Sequence, residues 1–229
     1  FIDNFIDEWH SNNYTKMIAE SSKKDKFELT YAWEIAPHPE RRPLEKWCAE
    51  MGMIPAKSIE EVVDKCDCIA VLAPNHSILH EELANCALRS GKPVYVDKTF
   101  APDRAAAKRM FDLAEQYHTP LMSTSALRYA EGLTSILEGK AKDLKTNYVC
   151  TFGCGLNFDI YGVHQVEMLV RAIGIGAKRV MMNEAELNRS LTIDYSDGRL
   201  GIVNYLPELN FHVMLQYGER SCADTGDLG

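Results

Sequence analysis

Nowhere in this 229-residue chain does an apolar run reach the roughly 18 residues that a membrane-spanning helix requires, and no charged-then-apolar leader precedes a small-residue cleavage site. A soluble, cytoplasmic protein is expected. Positive charge is scarce as well: 25 lysines and arginines stand against 33 acids, giving a formal net charge of −8 and a sequence pI near 5.4. Such a surface repels a phosphate backbone unless its basic residues gather on one face, which argues against a nucleic-acid partner. Paired cysteine spacing is missing too. The seven cysteines are odd in number and scattered, and "CDC" (66–68) and "CTFGC" (150–154) lack a second pair at zinc-like distance. Buried, inert thiols in a reducing compartment are expected, with neither a disulfide framework nor a metal site. No internal repeat or low-complexity tract occurs.

What is present is an ordinary globular composition, 46% hydrophobic and 25% charged, in a chain long enough for one large domain or two modest ones. "KFELTYAWE" (26–34) reads as a strand, and "PERRPLEKWCAEMG" (39–52) as a helix stopped by Gly52. Ser58 and Glu61 have capping-box spacing, and "DCIAVLAP" (67–74) suits a buried parallel strand. Leu79, Leu83, Ala84, Ala87 and Leu88 share one helical face before Gly91, after which "KPVYV" is the next strand. Asp103 can cap a helix that Pro120 ends, and "PLMSTS" reads as a further strand. Strand and helix therefore alternate to about residue 125, which predicts a Rossmann-type doubly wound parallel sheet over residues 1–125.

Beyond residue 126 the rhythm changes. "VHQVEMLVRAIG" (163–174) is an amphipathic helix, "SLTIDYSDGRLGIVNYL" alternates on both sides of a "SDG" turn, and "FHVMLQY" adds another alternating strand. Residues 126–229 are thus expected to form an α+β domain with a mostly antiparallel open sheet, one face on a core and the other free for a second subunit. A homo-oligomer through this sheet follows. The chain opens on Phe1 and ends on "CADTGDLG". On this reading the first, central strand of the parallel sheet has no residues, so loss from the N-terminus is expected.

Crossover handedness puts the carboxyl ends of the parallel strands on one edge, where open α/β sheets bind ligands. Asp97 and Lys98 fall on that edge. A lysine at a strand end is by itself usually a solvated surface charge. Here its surroundings matter: "HEELANCALRSGKPVYVDKTFAPDRAAAKRMFDLAEQYHTPL" resembles the signature stretch of the glucose-fructose oxidoreductase, inositol dehydrogenase and MocA (Gfo/Idh/MocA) family. His80, Gly91, Lys92 and Lys98 match its pattern, Asp97 stands for a glutamate, and Thr99 replaces a proline.

The resemblance implies NAD(P)-dependent hydride transfer on a small hydroxylated substrate such as a sugar or polyol. It makes Lys98 the motif lysine beside the nicotinamide and the substrate hydroxyl. "FDIYGVHQVEMLVRAIG" resembles the segment opening the family's second domain, with His164 at the family's histidine; Asp159 and Tyr161 are the alternatives for its aspartate, since Ile160 stands four residues before His164. Histidine suits proton exchange with a hydroxyl near neutral pH, and an ammonium suits a forming alkoxide. Cofactor contacts are expected from His10, Glu34, Pro74, Asn75, His76 and Asp97. Glu34, closing the second strand, favours NAD, while Arg41 and Arg42 leave NADP open.

One feature departs from the family. If His10 is its histidine after the phosphate loop, the glycine positions fall at Ile2, Asn4 and Asp7, and none is glycine. Without glycine the backbone cannot approach a pyrophosphate closely, and Asp3 and Asp7 repel it. Two rivals therefore accompany the dehydrogenase reading: a glycoside-cleaving enzyme of the same fold that uses NAD transiently, and a cofactor-less binding or regulatory protein. Arg128 in "LRY" is read as a structural salt-bridge residue, and Asn157 with Tyr161 as a polar-aromatic lining.

Overall fold

The apolar runs of the first half become short parallel strands: β1 (Ile2–Asp3), β2 (Tyr31–Glu34), β3 (Ile54–Pro55), β4 (Ile69–Val71), β5 (Val94–Val96) and β6 (Leu121–Met122). In the computed structural model, which describes residues 1–228, they form one sheet in the order β3-β2-β1-β4-β5-β6 with every pairing parallel. The chain winds outward from β1 in one direction and then, from β4, in the other. That reversal opens a crevice at the carboxyl ends of β1 and β4.

The expectation that the first strand is absent is corrected. Ile2 and Asp3 are that strand, in register with Trp33 and Glu34 on one side, while Ile2 pairs with Val71 on the other. Ile2 is fully buried, as a residue between two strands and two helical layers must be. Two residues carry no periodicity of their own, and only the flanking β2 and β4 make them a strand. The strand from residue 26 is also corrected, since Lys24–Lys26 form a 3₁₀ turn and pairing begins only at Tyr31.

The helices of this half are α1 (Trp9–Glu20), α2 (Leu44–Met51), α3 (Ile59–Lys65), α4 (Ser77–Leu88) and α5 (Arg104–Gln116). Their ends follow local chemistry. The Ser58 hydroxyl accepts from Glu61 N at the start of α3, the Asp103 carboxylate accepts from Ala106 N at the start of α5, and Gly52 turns left-handed (φ 73°) after α2. Leu83, Ala84, Ala87 and Leu88 of α4 pack with Ile69, Val71, Val94 and Val96 in one core layer. Ile6, Trp47 and Leu72 anchor a second cluster on the opposite face.

The chain divides into two units, Phe1–Ser123 and Thr124–Gly229. In the second, a short helix α6 (Glu131–Ser135) precedes β7 (Thr146–Gly153), α7 (Phe158–Ile173), β8 (Ala177–Glu184), β9 (Arg189–Tyr195), β10 (Leu200–Tyr205), β11 (His212–Tyr217) and β12 (Ser221–Asp224). The sheet order is β12-β11-β7-β10-β9-β8, antiparallel except for β7 and β10. The "SDG" turn joins β9 and β10 as expected, with Gly198 at φ 84°. Alternate residues Ile193, Tyr195, Val203, Tyr205, Val213 and Leu215 are buried, and Met168, Leu169 and Ile173 of α7 lie in the same unit's core. Every residue of β8 is exposed, including Val180, Met181 and Met182.

The cysteines carry free thiols, and the expectation of uniform burial holds only in part: Cys48 and Cys150 are buried, whereas Cys68 and Cys222 are exposed. Burial pushes the Cys48 thiol up to about 11.

Candidate functional site

The carboxyl edge of the parallel sheet sets one acid, Asp97, beside one lysine, Lys98. Strand periodicity puts Tyr95 and Asp97 on the same face, and the Tyr95 hydroxyl donates to Asp97 Oδ1 at 3.1 Å. The Tyr14 hydroxyl of α1 reaches the same oxygen at 3.4 Å. Asp97 Oδ2 lies 3.6 Å from His10 Nε2 and 3.9 Å from Lys98 Nζ. Asp97 is fully buried and Lys98 is 8% exposed. Lys98 is therefore not the solvated charge its position alone implied. Burying an ammonium costs several kcal/mol unless a partner is held close, and Asp97 is that partner. Burial, then the charge of Asp97, pushes both tyrosine hydroxyls above the ordinary phenol range, so both stay neutral donors.

His80 ties this edge together. Its imidazole is fully buried, with Nδ1 3.0 Å from Phe100 O and Nε2 2.9 Å from Leu72 O, linking the end of β4 to the segment after Lys98. The motif histidine is thus a scaffold. In the loop after β4, Pro74 is half-buried, Asn75 and His76 are exposed, and Ala73 and Asn75 have positive φ (39° and 63°). A cavity of about 870 Å³ lies toward the opposite, amino ends of the strands, lined by Thr30, Cys66, Pro93 and Pro120 among others; of the groups above, Tyr95 also lines it.

Glu34 does not face outward to a ribose. It is buried, and its oxygens accept from Ile6 N (2.7 Å) and Leu44 N (3.1 Å). Asp7 is held by Arg42 through two guanidinium contacts, 2.9 Å from Nε and 2.6 Å from Nη2, which keep its carboxyl far below the usual range. Arg42 also reaches Glu50 at 2.5 Å and Asn12 at 2.9 Å, so its charge is already matched. At the N-terminus of α1, Glu8 accepts from His10 N (2.7 Å) and Ser11 N (2.5 Å), and its Oε2 lies 3.0 Å from His10 Nδ1.

In the second unit His164 is half-buried on α7, its Nδ1 2.6 Å from the Oγ of the fully buried Ser125. The rings of Tyr161 and Phe211 stand 5.4 and 5.5 Å away. Tyr161, one helical turn from His164, is brought beside it, while Asp159 is not: its side chain is 86% exposed and pairs loosely with Arg189 at 3.6 Å. Asn157 caps α7 by accepting from Ile160 N, and Arg128 pairs with Glu167 at 2.9 Å as a structural residue.

Sequence reasoning missed Glu8, Tyr14, Tyr95 and Ser125. Only Tyr95 carried a local signal, its two-residue offset from Asp97. Ser125 meets His164 across 39 residues, and glutamate is not a preferred N-cap.

Residues 12–125 match the family described as "Oxidoreductase family, NAD-binding Rossmann fold". The chain belongs to the Gfo/Idh/MocA family. Its members are NAD(P)-dependent oxidoreductases, and the first unit has the doubly wound strand order of a Rossmann fold. Solved structures agree on the fold. A dehydrogenase (MviM) from Clostridium difficile superposes with a TM-score of 0.74 at 16% identity, covering 97% of this chain and 76% of that one. The WlbA dehydrogenase from Bordetella pertussis, solved with NADH and UDP-GlcNAcA, gives 0.76 at 17%, covering 97% and 72%. The biliverdin reductase from Synechocystis sp. PCC 6803, solved with biliverdin and NADP+, gives 0.66 at 13%, covering 97% and 82%. Identities this low establish architecture alone. No curated protein sequence matches the chain.

The family's dinucleotide does not fit the phosphate end of this crevice. The amides that would face a pyrophosphate are engaged by Glu8 and Glu34, and Ile6 fills the loop with a fully buried side chain. The buried amide oxygen Asn4 Oδ1 is an acceptor without a hydrogen bond, and phosphate oxygens offer it nothing. The Lys98 end shows no such conflict.

Proposed function

We propose that the chain oxidises or reduces a hydroxyl-bearing carbon of a small sugar-like or polyol substrate, with Lys98 as the charge-handling group of the first unit and His164 as the proton-exchanging group of the second. The observation that carries this reading is Lys98, nearly buried and held by Asp97 at the carboxyl edge of the sheet. A desolvated ammonium attracts a developing alkoxide far more strongly than one in water, a contribution of about 3 kcal/mol in comparable oxyanion sites. His164 exchanges the hydroxyl proton. With Nδ1–H donated to Ser125, Nε2 is the ring's accepting atom; with the serine hydroxyl donating instead, Nε2 carries the proton, so one partner supports both directions. Tyr161, beside the imidazole, contacts the substrate. Asp97 is a positioning residue for Lys98.

Between the two dinucleotides, the charge balance favours NAD. A 2′-phosphate needs an unmatched cation near the end of β2, and the Arg42 charge there is already matched by Asp7 and Glu50. The free thiols support a reducing cytoplasm. The fully exposed β8, with Val180, Met181 and Met182, supports a homo-oligomer through the second sheet; light scattering should give a multiple of 25.8 kDa, and Met182→Lys should reduce it.

Replacing His164 with asparagine should lower kcat by about 10²–10⁴-fold. Ser125→Ala should lower kcat with KM little changed, because the His164 imidazole loses the hydroxyl 2.6 Å away that orients it. An unchanged kcat would reduce Ser125 to packing. A second reading, a binding protein without a cofactor, is favoured by the closed phosphate loop and predicts no turnover with either dinucleotide.

A further inference from the structure

The first turn of α1 carries its own anion. A helix N-terminus presents unpaired N–H groups and a partial positive charge, which makes it a phosphate site wherever an anion can approach. In this chain Glu8 closes that site from within: one oxygen takes Ser11 N at 2.5 Å, the other takes His10 N at 2.7 Å, and Ser11 Oγ accepts from Glu8 N at 3.4 Å. Ser11 Oγ also donates to Ile6 O, and Glu34 fixes Ile6 N, so the loop between β1 and α1 is tied at both ends. Glu8 is only 7% exposed. An arriving pyrophosphate would have to displace a buried carboxylate and then sit beside Asp3 and Asp7.

We propose that Glu8 is a built-in occupant of the α1 anion site, so that this chain holds a dinucleotide without the pyrophosphate grip and correspondingly weakly. This concerns binding alone and stands apart from the turnover assigned to Lys98 and His164.

The test is calorimetric titration of the full chain with NADH and, separately, with inorganic pyrophosphate, for the wild type, Glu8→Gln and Glu8→Ser. Glutamine keeps the side-chain shape without the charge, and serine is a good N-cap, so one variant guards against misfolding of the other. Near-millimolar or weaker binding is expected for the wild type, and at least about tenfold tighter binding of both probes for a folded variant, the scale of one charge at a helix terminus in a partly buried setting. Micromolar binding of NADH by the wild type, or variants that bind neither probe more tightly, would overturn the proposal. Loss of turnover in Lys98 variants reads the functional assignment independently.

Discussion

At the scale of single residues, the parallel sheet's edge is governed by how each carboxylate is matched. Asp7 and Asp3 behave in opposite ways. Asp7 is ionised more readily in the fold than in the unfolded chain because Arg42 donates to it, so its contribution to stability is present above the ordinary aspartate range and is lost as pH falls. Burial, reinforced by the charge of Glu8, drives the Asp3 carboxyl up, so its contribution is present at low pH and is lost as pH rises through the elevated folded value. Asp7→Asn should cost about 2 kcal/mol at neutral pH, by leaving Arg42 without its bidentate partner. The same variant should show a shallower loss of Tm on acidification below about pH 4, where the wild type surrenders that pair. Thermal melts across pH check both statements, and parallel acid limbs in the two proteins would contradict them.

At the scale of elements, close approaches explain which positions tolerate change. Gly155, just before α7, has φ 144°, and a Cβ there would stand 2.1 Å from the Tyr161 ring. Gly155→Ala should therefore destabilise the second unit by about 1–3 kcal/mol and displace Tyr161 from His164. Chemical denaturation and the near-ultraviolet tyrosine signal would register it, and an unchanged midpoint would refute it. Most elements were legible because their signals are local. Ser58, Asp103 and Gly52 mark helix ends by their own chemistry, and the alternation in β9 and β10 specifies which side is buried. β1 was not legible, since two residues carry no periodicity; it is a strand only because β2 and β4 flank it. The site divides in the same way. Lys98 and His164 lay in recognisable stretches, but the inward turn of Glu34 and the cap made by Glu8 arise from how the segment 4–8 packs, which spacing does not encode.

At the scale of the molecule, two units with separate cores carry one group each: a buried lysine on the parallel sheet's edge, and a serine-supported histidine on the helix of the antiparallel half. Family membership supplies the reaction class, while in the loop before α1 this chain's own Glu8 and Glu34 occupy amides that a phosphate would otherwise meet. Both facts lead to one assay condition, dinucleotide at millimolar concentration, so that weak binding does not hide chemistry. The decisive measurement is the rate of reduced-nicotinamide formation by wild type and Lys98→Met across a panel of unphosphorylated sugars and polyols. The account predicts a substrate that the wild type turns over and that Lys98→Met turns over about 10²–10³-fold more slowly with the fold intact by circular dichroism. A folded Lys98→Met protein that keeps the wild-type rate would contradict it.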